Sequence, residues 1–563
     1  LYAGPGGQRE GGDRLRVSHA GGDHLPAARP ARHEVRLHQP GGDPELGLDK
    51  HKVAELRRTK RPLTAGQLER VRAHVIGIRE HAESIRAGGG HLKRGVLLYG
   101  PPGTGKTTEL LRRVKHTRDT GVQAERIAFV SFTRAAASEA LSRLGLKRSN
   151  NVSTIHAMAF RHLGLKQMQV VDHVKLKEFA KAVGVPIIGK SPEDDEERAD
   201  GDFYLDLLNY ARSTFSVPEE VYDVSDRPGT RSEFGMFVRA YAEWKRTYGY
   251  YDFTDMLERA AKGGIRADAE VVFVDEAQDL SPLQWAVVDK ICKRAHEVHL
   301  AGDDDQAIYT WSGADPHGMA RFTDRHKGHS HVLSLSHRLP IAVHERSQAL
   351  INRVMLRVDK EFSSKGHLGL VRLHGSINSV DIRHGQDTLL LGRTHSVLRE
   401  VEQLLIERRV PYSRESGRPG MYQNKYAAGV RAFNKLKRGG HITDGERNAI
   451  YNIATGDTLR RMDDGDYRYL IDRPFYVCLN VPARAVDFYA DADLDAEPTI
   501  RLSTIHASKG HEADQVILLT DMTTRVQQTA DKHPDDEIRV FYVGMTRSKN
   551  ILDIVHGHNG FDL

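Results

Sequence analysis

Gly100-Pro-Pro-Gly-Thr-Gly-Lys-Thr107 follows the apolar run Gly95-Val-Leu-Leu-Tyr99 and precedes a stretch of helical character. That arrangement of strand, glycine loop and helix is a phosphate cradle. Glycines let backbone N–H groups come close to phosphate oxygens, and the helix N-terminus adds a favourable dipole. The cradle is expected to comprise Gly103, Thr104, Gly105, Lys106, Thr107 and Thr108. Lys106 would pair with the β- and γ-phosphates of a nucleotide, and Thr107 would hold Mg²⁺.

A cradle needs carboxylates to become a hydrolase, and Val271-Val-Phe-Val-Asp-Glu276 supplies them. A strand of apolar residues delivers Asp275 to its C-terminal end, where it can complete the Mg²⁺ shell with Thr107. Glu276, next in sequence, is placed to orient or deprotonate an attacking water. The pair reads as nucleoside triphosphate hydrolysis, without saying what the energy drives.

Around these two anchors, strand-like runs at 127–132 and 297–301 alternate with helical stretches, the pattern of a parallel sheet covered by helices. A second set of strand-like runs occurs at 332–335, 388–391 and 515–519. The fold class is therefore α/β, with two lobes built on parallel sheets, each interrupted by a mostly helical insertion. The expected ranges are 63–160 and 251–335 for the first lobe and 161–250 for its insertion. The second lobe takes 336–395 and 499–563, with 396–498 as its insertion. Residues 1–62 are rich in Gly, Pro, Arg and His and read as a poorly ordered leader; the start at Leu1 suggests a fragment. The acidic run 193–197 reads as a solvated loop.

The chain has 563 residues and a formal charge of +6, compatible with a polyanionic partner but weak evidence for one. Its two cysteines, Cys292 and Cys478, provide neither a disulfide framework nor a zinc site. No apolar run is long enough for a membrane span and no signal peptide is visible, so a cytoplasmic setting without a membrane partner is expected.

Several further blocks occur in one order. They are Phe129-Val-Ser-Phe-Thr-Arg-Ala-Ala-Ala137, Ser153-Thr-Ile-His-Ala157, Tyr251-Asp-Phe-Thr-Asp255, Asp275-Glu-Ala-Gln-Asp279 and Gly302-Asp-Asp-Asp-Gln-Ala-Ile-Tyr-Thr-Trp-Ser-Gly-Ala314. Then come Leu335-Ser-His-Arg338, Ser503-Thr-Ile-His-Ala-Ser-Lys-Gly-His-Glu512 and Val540-Phe-Tyr-Val-Gly-Met-Thr-Arg547. Together they resemble the superfamily 1 DNA helicases of the UvrD/Rep type. The resemblance implies two RecA-like lobes that use ATP and Mg²⁺ to move along DNA. It implies that Gln306 senses the γ-phosphate, that Arg338 reaches it from the second lobe, and that Arg547 serves as arginine finger. It further implies that Gly510 and Glu512 meet the nucleotide, with Glu512 at the ribose, and that Gln67 in Leu63-Thr-Ala-Gly-Gln67 reads adenine. That last signal is also an ordinary helix capping pattern. Phe132, Thr133, Thr154, His156, Trp311, Thr504 and His506 are the implied DNA contacts, with Trp311 stacking on a base.

Two positions depart from the family pattern. His337 stands where an adenine-stacking tyrosine is usual, and Ser312 replaces an arginine after the tryptophan. The front segment, Val75-Ile-Gly-Ile-Arg-Glu-His81 with 92–107, resembles AAA ATPases instead. The expected function is ATP-dependent translocation on single-stranded DNA, 3′→5′ by resemblance, with unwinding of tailed duplex in repair or replication by a monomer or weak dimer. The alternatives are an AAA-type remodelling ATPase and a DNA-stimulated translocase that does not unwind.

Overall fold

The computed structural model describes residues 94–563 apart from 132–133, 190–197, 226–228, 266, 383–384, 418 and 558. The leader 1–62, Gln67, Phe132, Thr133 and the acidic run 193–197 lie outside the described residues.

Two six-stranded sheets organise the chain, and every strand pair in both is parallel. The first holds β1 (Arg94–Tyr99), β2 (Ile127–Ser131), β3 (Val152–Thr154), β4 (Val271–Val274), β5 (Glu297–Gly302) and β6 (His329–Val332). Their spatial order is β3-β2-β4-β5-β1-β6. The second holds β7 (Leu370–His374), β8 (Thr388–Gly392), β9 (Tyr412–Arg414), β10 (Ile500–Thr504), β11 (Ala513–Leu519) and β12 (Ser548–Val555), in the order β7-β12-β11-β8-β10-β9.

Parallel strands covered on both faces must be apolar on both, and the inner strands of both sheets are. In the first sheet Leu97, Val130, Val272 and Leu300 enter one core, while Leu98, Phe129, Phe273 and Ala301 enter the other. The second sheet repeats this, with Leu390, Leu502 and Ile517 on one face and Leu389, Leu391 and Val516 on the other. Successive residues face opposite cores, so inner strands such as β2, β4 and β8 are buried along their whole length.

Two details differ from the sequence expectation. Of the run expected at 332–335 only Val332 lies in a named strand: β6 spans His329–Val332 and pairs with β1 at the edge of the first sheet, so it is not part of the second sheet. β9 lies within 396–498, yet it pairs with β10 as part of the second sheet. Three residues are too few to show a hydrophobic period.

Between β3 and β4, helices His173–Val183, Asp200–Thr214, Pro218–Asp223 and Arg231–Tyr248 enclose an aromatic core of Phe179, Tyr204, Phe234, Phe237 and Tyr241. Between β9 and β10, helices from Lys425–Lys437 to Ala483–Asp491 pack onto one face of the second sheet. No helix among the described residues is long and apolar enough to cross a membrane. Cys292 and Cys478 are both buried and unbonded to each other.

Candidate nucleotide and nucleic-acid site

The order β4-β5-β1 sets three strand ends side by side at the C-terminal edge of the first sheet, where ligands of open parallel sheets bind. β1 delivers 100–107, β4 delivers Asp275 and Glu276, and β5 delivers 303–306.

In the loop, Gly103 and Gly105 adopt left-handed backbone conformations with φ of 73° and 77°, which a side chain would strain. A Cβ on Gly103 would also lie 2.4 Å from the Cβ of Arg338. The segment 336–338 latches the loop at this close approach. Ser336 Oγ donates to the Pro102 carbonyl at 2.7 Å, and the His337 N–H donates to the Gly103 carbonyl at 2.8 Å. His337 keeps its ring exposed. Buried Lys106 caps the Gly100 carbonyl with its ammonium, Thr104 Oγ1 donates to the Pro101 carbonyl at 2.8 Å, and Thr108 is exposed on the helix that follows.

Thr107 Oγ1 donates to Asp275 Oδ2 at 3.0 Å, while buried Asp275 Oδ1 has no hydrogen-bond partner among the described residues. Burial, and then the neighbouring Glu276, push the Asp275 carboxyl above its usual range. A hydroxyl beside an orphaned buried carboxylate oxygen fits a hard divalent cation such as Mg²⁺. When bound, such an ion neutralises charge on phosphate oxygens, and Thr107 and Asp275 would hold it.

Glu276 is a non-glycine residue at φ 52°, a strained conformation of the kind that collects at functional sites. Its carboxylate accepts from Gln278 Nε2 at 2.6 Å. Burial alone would raise its pKa, but Lys106, Lys509, the Gln278 amide and Arg547 together hold it below the usual value. An ionised carboxylate among cations, next to the cradle, is suited to take or orient a water proton.

The second lobe closes the site. Arg547 is fully buried and donates through Nη2 to Gln306 Oε1 at 3.1 Å and through Nε to the Val543 carbonyl at 2.9 Å. Burial and nearby Arg338 lower its pKa to about 9, which leaves the guanidinium charged at neutral pH. Arg338 is bonded to Glu512 at 2.7 Å and to the Thr546 carbonyl at 3.3 Å, so these two candidate residues meet each other. Gly510 turns the chain before Glu512 at φ 92°.

Lys509, quoted in the sequence blocks without a role, links the two lobes across the cleft. Its ammonium bonds both oxygens of Asp279, at 2.7 and 2.5 Å, and the Gln306 carbonyl at 2.8 Å. Asp279 likewise had no assigned role, because a partner 230 positions away leaves no local signal, and Gln278 acts by joining Glu276 to the Asp303 N–H.

Trp311 is 44% exposed, unlike most large aromatics here, and stands edge-on to Tyr309 and His506 with ring centroids 6.4 and 6.5 Å apart. Tyr309 bonds the His506 carbonyl at 3.4 Å, and Lys509 lies over its ring. Among the other DNA candidates, Thr504 is wholly buried and caps the turn at Ala507, so it presents no outer face in this arrangement. His506 is also buried, and burial depresses its pKa strongly. Thr154 caps helix Ile155–His162 through the Ala157 N–H, and His156 packs edge-on against Phe253. Ser312 is exposed and turns its hydroxyl back to the Tyr309 carbonyl at 2.8 Å.

A profile of the UvrD/REP helicase N-terminal domain matches residues 82–327, and one of the UvrD-like helicase C-terminal domain matches 484–558. The chain belongs to the UvrD/Rep helicase family. Among similar proteins, the ATP-dependent DNA helicase PcrA of Leuconostoc citreum is 25% identical over 423 residues, 68% of this chain and 54% of that protein. DNA helicase II of Escherichia coli K12 is 24% identical over 56% of this chain and 49% of its own length. The ATP-dependent DNA helicase UvrD2 of Mycobacterium bovis is 22% identical over 81% of this chain and 75% of its own length. The chain thus spans about half the length of the first two. The stretch 92–107, which resembles AAA ATPases, lies inside the range matched by the UvrD/REP profile. The earlier AAA-like stretch, 75–81, lies outside the described residues.

Proposed function

We propose that this UvrD/Rep family member is an ATP-driven DNA helicase that translocates on single-stranded DNA and unwinds tailed duplex, moving 3′→5′. The observation that carries the reading is the short segment from Gln306 to Trp311. One end bonds Arg547 of the opposite lobe beside the phosphate cradle, and the other offers an exposed indole at the same cleft. A rearrangement at the γ-phosphate therefore has five residues to cross before it reaches an aromatic able to stack on a base. Such stacking is worth about 1–3 kcal/mol per base and tolerates any sequence.

ATP lies between the lobes, with Lys106 on its phosphates and Thr107 and Asp275 holding Mg²⁺. Glu276 takes the proton of the attacking water, while Arg547 and Arg338 stabilise charge on the γ-phosphoryl group from the second lobe. Because these arginines come from the far side of the cleft, hydrolysis requires closure, and release of products reopens it. The protein works in the cytoplasm, as a monomer or weak dimer, in DNA repair or replication.

The test is ATPase activity with and without single-stranded DNA, together with strand displacement on a tailed duplex. DNA should stimulate turnover, and Lys106→Ala should lower it by about 100-fold or more. Turnover in Lys106→Ala equal to that of the unaltered protein would sink the reading. Stimulated ATPase without strand displacement would instead favour a translocase that does not unwind, a reading to which the exposed Ser312 gives some physical basis.

A further inference from the structure

Beneath Gln306 lies a charge cluster that the hydrolytic scheme does not use. Asp303, Asp304 and Asp305 are all at most 2% exposed, and the Lys360 ammonium sits among them. It is 2.9 Å from Asp303 Oδ1, 2.5 Å from Asp304 Oδ1 and 3.0 Å from Asp305 Oδ2. Arg357 grips Asp305 with two bonds of 2.9 and 2.7 Å, and the Val358 N–H donates to Asp304 Oδ2 at 2.8 Å. Lys360 and Arg357 lie on the strap between helix Ile341–Ile351 and β7, so a piece of the chain leading into the second lobe reaches under the first.

Such a cluster is a poor device for stability alone, since buried charges lose hydration that apolar residues of similar volume would not. What it does supply is direction. Asp303 is an acceptor only: Oδ2 takes the Gln306 Nε2 donor at 2.5 Å, and Oδ1 faces Lys360. With its amide nitrogen committed to Asp303, Gln306 must present its carbonyl oxygen elsewhere, and it meets Arg547 Nη2. A second tie holds the same corner, because the Asp303 N–H donates to Gln278 Oε1 at 2.9 Å while Gln278 Nε2 holds Glu276.

We propose that Lys360 is a positioning residue: by fixing Asp303 it sets which way the Gln306 amide points, and so sets the cross-lobe contact of Gln306 with Arg547. Two features agree with this. Burial would strip the Lys360 proton, but the three aspartates hold its pKa above the usual lysine value. Burial would also neutralise Asp303, but Lys360 and then Lys106 hold its carboxyl low, in the acceptor form that the amide orientation needs. The inference rests on the reading of a γ-phosphate-responsive ATPase stimulated by DNA.

The test compares Lys360→Met with the charge-balanced pair Lys360→Met and Asp304→Asn. In the latter, the amide oxygen introduced in place of Asp304 can still accept from the Val358 N–H, while one negative charge leaves with the lysine. DNA-stimulated kcat should fall by about tenfold or more, with KM for ATP within about twofold, because the lost contact belongs to the closed state. In a Gln306→Ala background the same replacement should lower kcat no further, since Lys360 acts only through that amide. Unchanged kcat in a folded variant, or an additive loss on top of Gln306→Ala, overturns the proposal. Failure of both variants to fold overturns it too, marking Lys360 as a purely structural cation. DNA stimulation of the unaltered protein is measured alongside: its absence removes the helicase reading, while its presence with an inert Lys360→Met removes this inference alone.

Discussion

Glu276 is the residue whose chemistry depends most on its surroundings. Its backbone is held at φ 52°, and Lys106, Lys509 and Arg547 keep its carboxylate ionised against burial. Glu276→Gln keeps size and shape while removing the proton acceptor. It should lower kcat for ATP hydrolysis by about 10²–10⁴-fold while ATP binding, followed by a fluorescent analogue, persists. Loss of binding in parallel with kcat would mean that the carboxylate has another task. At this scale the sequence was highly legible wherever chemistry is local. A glycine loop before a lysine, and a carboxylate pair after an apolar strand, have few other uses. It was illegible where a role depends on a distant partner. Nothing near Lys509 announces Asp279, and nothing near Lys360 announces Asp303. Conversely Thr504, quoted for a DNA-facing role, spends its hydroxyl on a local turn.

Elements were legible in proportion to their length and to the visibility of their caps. β4 is four apolar residues ending in two acids, and it stands where the pattern put it. β3, β7, β9, β10 and β12 were not anticipated. β7 mixes exposed and half-buried residues at a sheet edge, and β12 buries the charged Asp553 by giving it Arg372, His374 and Gln515 as partners, which masks its apolar face. The first insertion shows the reverse case, since its helices carry readable stop and start signals. Helix Arg231–Tyr248 begins at Thr230, whose hydroxyl accepts from the Glu233 N–H while the Glu233 carboxylate accepts from the Thr230 N–H, and it ends at Gly249 in a left-handed conformation. Thr230→Ala should cost about 1 kcal/mol, the usual value of such a cap. Hydrogen exchange is the measurement of choice, because the loss should concentrate in amides 231–236. A protection pattern unchanged there would show that the aromatic core of Phe234, Phe237 and Tyr241 holds the helix start by itself.

At the scale of the molecule, two parallel-sheet lobes meet along one cleft, and the contact of Lys509 with Asp279 and the Gln306 carbonyl spans it. Burial raises the Asp279 carboxyl to about 7 despite Lys509, so the closed arrangement keeps a costly carboxylate beside the Lys509 ammonium. Removing one member of a buried pair commonly costs about 3–5 kcal/mol. In Lys509→Ala that cost should fall on the closed form, because separating the lobes readmits water to Asp279, while the fold of each lobe is unaffected. The closing equilibrium should therefore shift toward open by roughly 10²-fold or more, each 1.4 kcal/mol being about a factor of ten. Fluorophores placed on the two lobes should report reduced closure on addition of a non-hydrolysable ATP analogue. Adding Asp279→Asn should recover much of it, since a neutral amide no longer needs the lysine. The recovery should also depend on pH. Lys509 lowers the Asp279 pKa, so in Lys509→Ala that carboxyl titrates above about 7 and closure should improve as the pH falls, whereas the double variant, having no carboxyl to titrate, should close equally well at a lower and a higher pH. Equal closure of Lys509→Ala and the unaltered protein at the higher pH would show that the lobes are held together by Arg547 and Gln306 without help from this pair.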